Sequence, residues 1–228
     1  MARLLAKAAA RLKKIGKRRI LGGALIVLSL GLALAVYGRL YVKRWVGAAE
    51  VERRRTAQST PAAFTADQTP TRSPIDEASV TVSTHFGLVV PSLGINVPVI
   101  QNVSGIEGKE YFTQLKRGVA HQEGTATPNA GGNTVIFGHS STVPGVSPSP
   151  YDEVFLMLDQ LQPDDRINVY YNSKQYTYIV TSLRRVAAGD LHILDDTEAA
   201  QLTLYTCWPP GTDAQRLVVT ARPTSDNS

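Results

Sequence analysis

The longest apolar run of the chain comes near its N-terminus. Residues 20–38 are uncharged and mostly apolar over 19 positions. At about 1.5 Å per helical residue, this length matches a hydrocarbon core of roughly 30 Å, so the run predicts a single transmembrane signal anchor. The alternative is a cleaved signal peptide, whose apolar region covers only about 7–15 residues. Residues 1–19 are basic and predict a cytoplasmic tail, which leaves the rest of the chain extracytoplasmic.

No sustained apolar period follows this run until about residue 79. Residues 39–78 are rich in Ala, Thr, Ser, Pro and Arg. A stretch of this composition buries too little apolar surface to offset the entropy of ordering, so it predicts a flexible spacer. A helix continuing from the anchor to about Arg55 fits its first part. A folded domain is predicted over residues 79–228.

Short β-type runs dominate that domain. Residues 80–100 are rich in β-branched side chains and are interrupted by Pro91 and Gly94, which predicts two strands joined by a turn. The continuous apolar run at residues 135–137 predicts a strand buried on both faces. Further strands are predicted at residues 166–171 and 175–183, joined as a hairpin, and at 202–207 and 216–221.

Helical patterns in the domain are few. Residues 102–120 predict a short helix or turn, and apolar side chains at helical spacing predict a short amphipathic helix over residues 151–161. About eight short strands with one or two short helices, and without alternation of strands and helices, favour a closed or nearly closed, mainly-β barrel.

Charge and cysteine content exclude several classes of function. Residues 1–38 carry a net charge of +8, whereas residues 79–228 hold nine basic and fourteen acidic residues and carry −5. An acidic domain of this kind is a poor nucleic-acid ligand, because phosphate neutralisation dominates that binding. The single cysteine excludes an intramolecular disulfide framework. No metal-ligand spacing occurs in the sequence, and no metal or other cofactor is predicted.

The single cysteine, Cys207, is the most informative residue. Leu202, Leu204 and Thr206 share one face of its predicted strand, and Cys207 ends that strand on the other face. Arg216 begins the next strand. If the two strands pair antiparallel, Arg216 lies near Cys207 across the mouth of the loop 208–215, where a guanidinium can stabilise developing negative charge.

A proton donor and acceptor is available at another strand end. His139 lies just past the end of the run 135–137, after Gly138, and is the best placed of the four histidines. Each of these residues also has a structural interpretation, since a lone cysteine is commonly a small buried hydrophobe. His85, His121 and His192 are assigned structural roles, although His121 precedes a Gly/Thr/Pro loop. The residues alone leave packing and catalysis both open.

The pentad TLYTC at residues 203–207 resembles the TLxTC motif of the sortases, membrane-anchored cysteine transpeptidases of bacterial surfaces. Phe137-Gly138-His139 resembles the strand-end Gly-His of that family, and Arg216 stands where its arginine follows the cysteine. The match runs from about residue 86 to 222. The resemblance implies an eight-stranded sortase barrel without assigning a sortase class. A calcium site is not carried over, because no compact acidic cluster is present.

The resemblance also implies a reaction. Cys207 would attack the Thr–Gly carbonyl of an LPxTG-like sorting signal on a surface protein to form a thioacyl enzyme. His139 would transfer protons and Arg216 would stabilise the oxyanion, while Thr206 and Trp208 would contact the substrate. The acceptor would be an amine, from a peptidoglycan precursor or a pilin lysine. The enzyme would sit in the cell membrane as a single-pass protein.

Three alternatives remain. An L,D-transpeptidase would carry a Ser-His-Gly-Cys-type run, and a papain-like protease would have its cysteine before its histidine. Neither pattern is found in this sequence. The third alternative is a membrane-anchored β-domain that binds surface proteins without catalysis and in which Cys207 is inert.

Overall fold

The structure is a computed structural model of the full chain. It describes residues 25–31, 34, 38–39, 41–57, 85–105, 108–142 and 147–225. The chain divides into two compact units, residues 1–47 and 48–228. The described residues of the first unit are helical. Within the described parts of the chain, no helix has the length and apolar character needed to cross a membrane. The structure therefore does not support the transmembrane helix predicted at residues 20–38, several of which lie outside the described residues.

A helix opens the second unit. Its residues 48–57 are helical, which confirms the helix predicted to reach about Arg55. The guanidinium of Arg55 donates hydrogen bonds of 2.9 and 3.3 Å to the two carboxylate oxygens of Asp165, and one of 2.9 Å to the carbonyl of Gln160. Because both partners belong to the turns before a barrel strand, the end of this helix is fastened to the barrel. The remainder of the predicted spacer and the predicted domain start at residue 79 lie outside the described residues.

The second unit is a closed barrel of eight strands in the order β1-β2-β3-β4-β7-β8-β6-β5. The strands are β1 Phe86–Val90, β2 Ile95–Val103, β3 Val119–Gln122, β4 Asn133–Phe137, β5 Arg166–Tyr171, β6 Lys174–Ala187, β7 Gln201–Trp208 and β8 Gln215–Pro223. Antiparallel pairing of β1 with β5 closes the barrel. The predicted fold class, a mainly-β barrel of eight strands, is confirmed.

The turn residues indicated by the sequence form the connections of two hairpins. Pro91–Leu93 is a single 3-10 turn, and Gly94 follows it with φ 66° before β2 begins. A left-handed φ of this kind carries no Cβ penalty in glycine. Between β5 and β6, Asn172 and Ser173 have φ of 49° and 64° and form a two-residue turn. Such turns match the twist of paired strands.

The helix prediction was right in one region and wrong in the other. Lys109–Leu115 is an α-helix, as expected within residues 102–120. Residues 151–157 form successive turns, and only Leu158–Gln160 is a 3-10 helix, so the predicted helix over residues 151–161 is wrong. The physical reason lies at Phe155, whose N–H donates to the carbonyl of His139 at 3.0 Å instead of to a carbonyl one helical turn earlier. A tertiary hydrogen bond replaces the local one.

Two apolar clusters lie on opposite sides of the sheet at β4. The larger fills the barrel and includes Ile136, whereas the smaller contains Phe137 and Leu115 of the helix Lys109–Leu115. All five residues of β4 are therefore buried, which confirms the strand predicted to be covered on both faces. The second cluster fixes the helix beside the end of β4, where the candidate site begins.

Candidate functional site

The parallel pairing of β4 with β7 brings His139 level with Cys207. Phe137 is paired with Tyr205 in the parallel register, and His139 and Cys207 each follow two residues later. The contact continues past the strand ends, because the N–H of Gly138 donates to the Tyr205 carbonyl at 3.4 Å. The hydroxyl of Ser140 then donates to the Cys207 carbonyl at 2.9 Å. His139 and Cys207 therefore lie side by side along the sheet.

Arg216 approaches Cys207 from the other side. In the antiparallel pair of β7 and β8, Cys207 is the direct partner of Arg216, which confirms the predicted hairpin. The guanidinium Nη1 donates hydrogen bonds of 3.2 Å to the carbonyls of Asp213 in the connecting loop and Gln215 at the start of β8. The loop thus orients the cation near the end of the cysteine strand. Cys207 stands on the central strand of three, with His139 and Arg216 on its two flanks.

A cavity of about 480 Å³ opens beside these strand ends. Cys207 and Arg216 line this cavity. The other lining residues are a mixture of apolar and polar side chains: Ser104, Gly105, Tyr111, Gln122, Glu123, Phe137, Gly138, Ala188, Asp190, Leu191, Ile193, Leu194, Tyr205 and Thr206. Cys207 is half-buried, so its thiol borders the cavity without being sealed in the core. Such a mixture of apolar walls and a few polar groups is typical of a site that holds an extended ligand.

Aromatic rings hold His139 in place. The ring of Phe112 stacks on the imidazole with centroids 6.2 Å apart and planes 12° apart. Tyr111 meets it edge-on at 5.9 Å. Both residues belong to the helix Lys109–Leu115, and the His139 carbonyl accepts from the Phe155 N–H. Ring contacts and a backbone hydrogen bond therefore position the half-buried side chain of His139.

Thr206 is buried and fastens β7 to β4. Its side chain faces the barrel with Leu202 and Leu204, as the alternation predicted. The hydroxyl donates to the carbonyl of Gly138 at 2.7 Å, directly before His139. Thr206 also borders the cavity. A role in binding substrate stays a prediction, and the observed contact is one that aligns the two strands carrying His139 and Cys207.

Trp208 is placed differently from Cys207. Its half-buried ring packs against the barrel core, with the guanidinium of Arg185 4.8 Å from the ring centroid. The described lining of the cavity includes Cys207 but omits Trp208. The predicted contact of Trp208 with substrate stays a prediction.

Tyr205 is a site residue that the sequence reasoning did not single out. Its phenol donates to Oε1 of Gln122 at 3.2 Å, and its ring stacks on Phe137 with centroids 5.3 Å apart. Burial raises the pKa of Tyr205 above its usual value, the nearby Cys207 raises it further, and Arg216 opposes the shift. Tyr205 is therefore a neutral donor. The available signal was its position two residues before Cys207 on the same strand face.

His121 has the contacts of a structural histidine. Nδ1 accepts from the Asn102 N–H at 3.3 Å, and Nε2 lies 3.0 Å from the Ala126 carbonyl, which assigns the proton to Nε2. Desolvation by burial lowers the pKa of His121, against smaller opposing contributions from its backbone hydrogen bonds. The ring is consequently held neutral. Across the described residues, no group of three or more His, Cys, Asp or Glu side chains is arranged to hold a metal ion.

Comparison with known proteins identifies one family. The family model described as the sortase domain matches residues 88–224 of this chain. Sortase A of Streptococcus agalactiae is 26% identical over 136 residues, which cover 59% of this chain and 51% of that protein. Sortase D of Bacillus subtilis is 23% identical over 123 residues, covering 54% and 53%. The chain spans about half the length of these curated relatives.

Solved structures give the same fold. A pilus-related sortase C of Group B Streptococcus has 27% identity and a TM-score of 0.51, and the match covers 63% of this chain and 69% of that one. A Clostridium perfringens sortase C solved with the C-terminal cell wall sorting motif has 26% identity and a TM-score of 0.51, covering 61% and 69%. The eight-stranded barrel described above is the fold that these proteins share.

Proposed function

This chain belongs to the sortase family, a family of cysteine transpeptidases, and we propose that it cleaves an LPxTG-like sorting signal and transfers the released protein to an amine. The observation that carries the proposal is the strand order. Cys207 stands on β7 between β4, which ends two residues before His139, and β8, which begins one residue before Arg216. A cavity large enough for several peptide residues lies beside it.

The proposed reaction uses one residue from each strand. The Cys207 thiolate attacks the carbonyl carbon of the Thr–Gly bond, and Arg216 stabilises the negative charge that forms on the carbonyl oxygen. The C–N bond breaks as His139 protonates the leaving amine, which leaves a thioester on Cys207. An incoming amine then gives a proton to His139 and attacks the thioester, which restores the thiolate and forms the new amide.

The substrates and partners follow from the proposed chemistry. The donors are surface proteins that carry a C-terminal sorting signal, and the acceptor is an amine of a peptidoglycan precursor or a pilin lysine. The sorting motif present in the Clostridium perfringens sortase C structure supports this substrate class. Anchoring in the cell membrane through residues 20–38, with the catalytic domain extracytoplasmic, is proposed from the apolar run of the sequence.

Replacement of the nucleophile tests the proposal. The full-length protein should cleave an LPxTG peptide and yield a thioacyl adduct by mass spectrometry, and Cys207→Ala should do neither. His139→Ala should also be inactive, whereas His85→Ala, which changes an exposed histidine at the start of β1, should keep wild-type activity. Cleavage retained by Cys207→Ala would exclude the proposed mechanism.

The non-catalytic alternative is separated by a labelling experiment. Iodoacetamide should alkylate Cys207 in the folded protein at neutral pH, because the half-buried thiol borders the cavity. Alkylation that occurs only after denaturation would favour an anchored binding domain with an inert cysteine.

A further inference from the structure

We propose that Asn133 is a positioning residue that holds residues 188–197, termed here the wall loop, as a preformed wall of the substrate cavity. The proposal rests on the function proposed above and adds the means by which the substrate site is kept in shape. Asn133 begins β4, at the opposite end of that strand from His139. The wall loop follows β6, forms most of the connection to β7 and contributes Leu191, Ile193 and Leu194 to the cavity lining.

The side chain of Asn133 is fully used in hydrogen bonds. It is 3% exposed, and its Nδ2 donates to the carbonyls of Ile193 at 3.2 Å and Asp195 at 3.0 Å. Its Oδ1 accepts from the hydroxyl of Thr203, itself 1% exposed, at 2.8 Å. A carboxamide has two donor hydrogens and one acceptor oxygen. Here the donors hold the wall loop and the acceptor holds β7.

The backbone of Asn133 makes a second connection to the same loop. Its N–H donates to Oδ1 of Asp196 at 3.1 Å, and the same oxygen accepts from the Thr197 N–H at 2.9 Å. The preceding residue, Gly132, has φ 73°, and a Cβ built there would lie 2.3 Å from the Asp196 oxygen. Glycine at this position therefore lets the carboxylate approach the start of β4. The two connections together are termed here the Asn133 clasp.

The wall loop depends on these hydrogen bonds more than on packing. All residues of the loop are described, and Ile193 is the only one that is buried. Leu191 is 72% exposed although it borders the cavity, so its apolar surface is available to a ligand. Asp190 adds a local restraint by accepting from the His192 N–H at 3.1 Å. A short exposed segment with one apolar anchor is a mobile segment unless polar contacts hold it.

A preformed wall affects substrate binding more than bond cleavage. Ordering a loop when a ligand binds costs free energy that is subtracted from the affinity. Because the Asn133 clasp orders the wall loop in the free protein, this cost is not subtracted from the affinity for substrate. Its loss should raise KM for a sorting-signal peptide while leaving kcat and the reactivity of Cys207 nearly unchanged, because the strand ends that carry Cys207, His139 and Arg216 are not part of the clasp.

Two variants and one matched control test the clasp in the full-length protein. Asn133→Asp keeps the size of the side chain and the acceptor for Thr203 but loses both donors. Asp196→Ala removes the second connection from an exposed position on the loop, where the barrel core is untouched. Thr203→Val is the control, because it removes a buried hydrogen bond to Asn133 without altering either connection to the wall loop.

Hydrogen exchange of the wall loop gives the direct readout. In both test variants the amides of residues 191–196 should exchange about tenfold faster or more. KM for an LPxTG peptide should rise by about tenfold in Asp196→Ala, as expected for losing roughly one charged hydrogen bond, and by at least as much in Asn133→Asp, which loses two hydrogen bonds. The kcat value and the rate of Cys207 alkylation should stay within about twofold of wild type. Thr203→Val should change global stability but neither loop exchange nor KM.

The outcomes separate the clasp from the proposed function. Unchanged loop exchange in Asp196→Ala, which needs no core rearrangement, would overturn the clasp, as would equal acceleration by Thr203→Val. Faster loop exchange in a protein that cleaves no sorting-signal peptide would support the clasp and reject the proposed substrate. If Asn133→Asp does not fold, Asp196→Ala and the control decide the question alone.

Discussion

His139 and Cys207 each lie two residues past the last paired position, Phe137 and Tyr205, of two neighbouring parallel strands. Because the two strands are paired, the barrel and not a flexible loop sets the distance between His139 and Cys207 along the sheet. Sites carried on strand ends are held more closely than sites on loops, and the proposed reaction would need such control because one imidazole would serve two amines in succession.

Arg216 should be required for its planar, forked geometry as well as its charge. Arg216→Lys keeps the positive charge but cannot keep the same donor arrangement toward the loop carbonyls and the substrate, so kcat should fall by about 10²–10³-fold with modest change in KM. Steady-state cleavage of an LPxTG peptide measures this. Arg222→Lys, an exposed arginine on the same strand, is the matched control and should retain full activity. Near-normal kcat in Arg216→Lys would contradict oxyanion stabilisation by a guanidinium fork.

Phe112 should position the imidazole of His139. Phe112→Leu keeps an apolar side chain on the helix but loses the stacked ring, and we expect kcat to fall by about tenfold with KM unchanged. Phe112→Tyr should restore kcat, because it restores the ring. Glu110→Gln, an exposed change in the same helix, should leave both constants at wild-type values. Equal kcat for the Leu and Tyr variants would show that the stack does not position His139.

Much of this site could be anticipated from local sequence pattern. The face alternation in residues 202–207 and the short loop to Arg216 predicted the pairing of Cys207 with Arg216, because a hairpin requires only neighbouring segments. The pairing of β4 with β7 joins Ile136 to Leu204 across 68 positions, and no periodicity in either strand specifies that partner. The expectation that Cys207 lies beside His139 came from the family resemblance and not from spacing.

Other features depend on tertiary hydrogen bonds that leave no periodic trace. The apolar spacing in residues 151–161 fits a helix, yet the Phe155 N–H bonds to the His139 carbonyl and the segment becomes a series of turns. The wall loop has no apolar period, and no sequence pattern distinguishes Asn133 from other polar residues. Its role is visible only when the carbonyls of Ile193 and Asp195 are brought against its amide.

The ion pair of Arg55 with Asp165 should stabilise the barrel. Both side chains are shielded, with 21% and 11% of their surfaces exposed, and the contact is bidentate, so a double-mutant cycle should give a coupling of about 1–3 kcal/mol in urea unfolding. The pair of Arg53 with Glu50, in which Arg53 is 78% exposed, is the control and should show a coupling well below that of Arg55 with Asp165. Equal coupling in the two pairs would show that shielding and bidentate geometry add nothing here.

His121 should make the protein less stable in mild acid. Its pKa in the folded state is lowered below the ordinary 6.5 by burial, so the folded protein binds this proton more weakly than the unfolded chain does. Above about pH 6.5 the imidazole is neutral in both the folded and the unfolded chain, and its contribution to stability is fully present. The free energy of unfolding then decreases as the pH falls from there toward the folded-state pKa. The groups around the ring, including the Asn102 N–H, the Ala126 carbonyl and the Phe86 ring, carry no charge that would offset protonation.

The free energy of unfolding, measured between pH 7.5 and about pH 5 by urea titration, tests this role of His121. His121→Gln keeps a side chain that can donate and accept but cannot titrate, so its stability should fall less over this range than that of the wild type. His85→Gln alters an exposed histidine and should retain the wild-type slope. If the wild type and His121→Gln lose stability in parallel, burial of the neutral imidazole is not the source of the acid sensitivity.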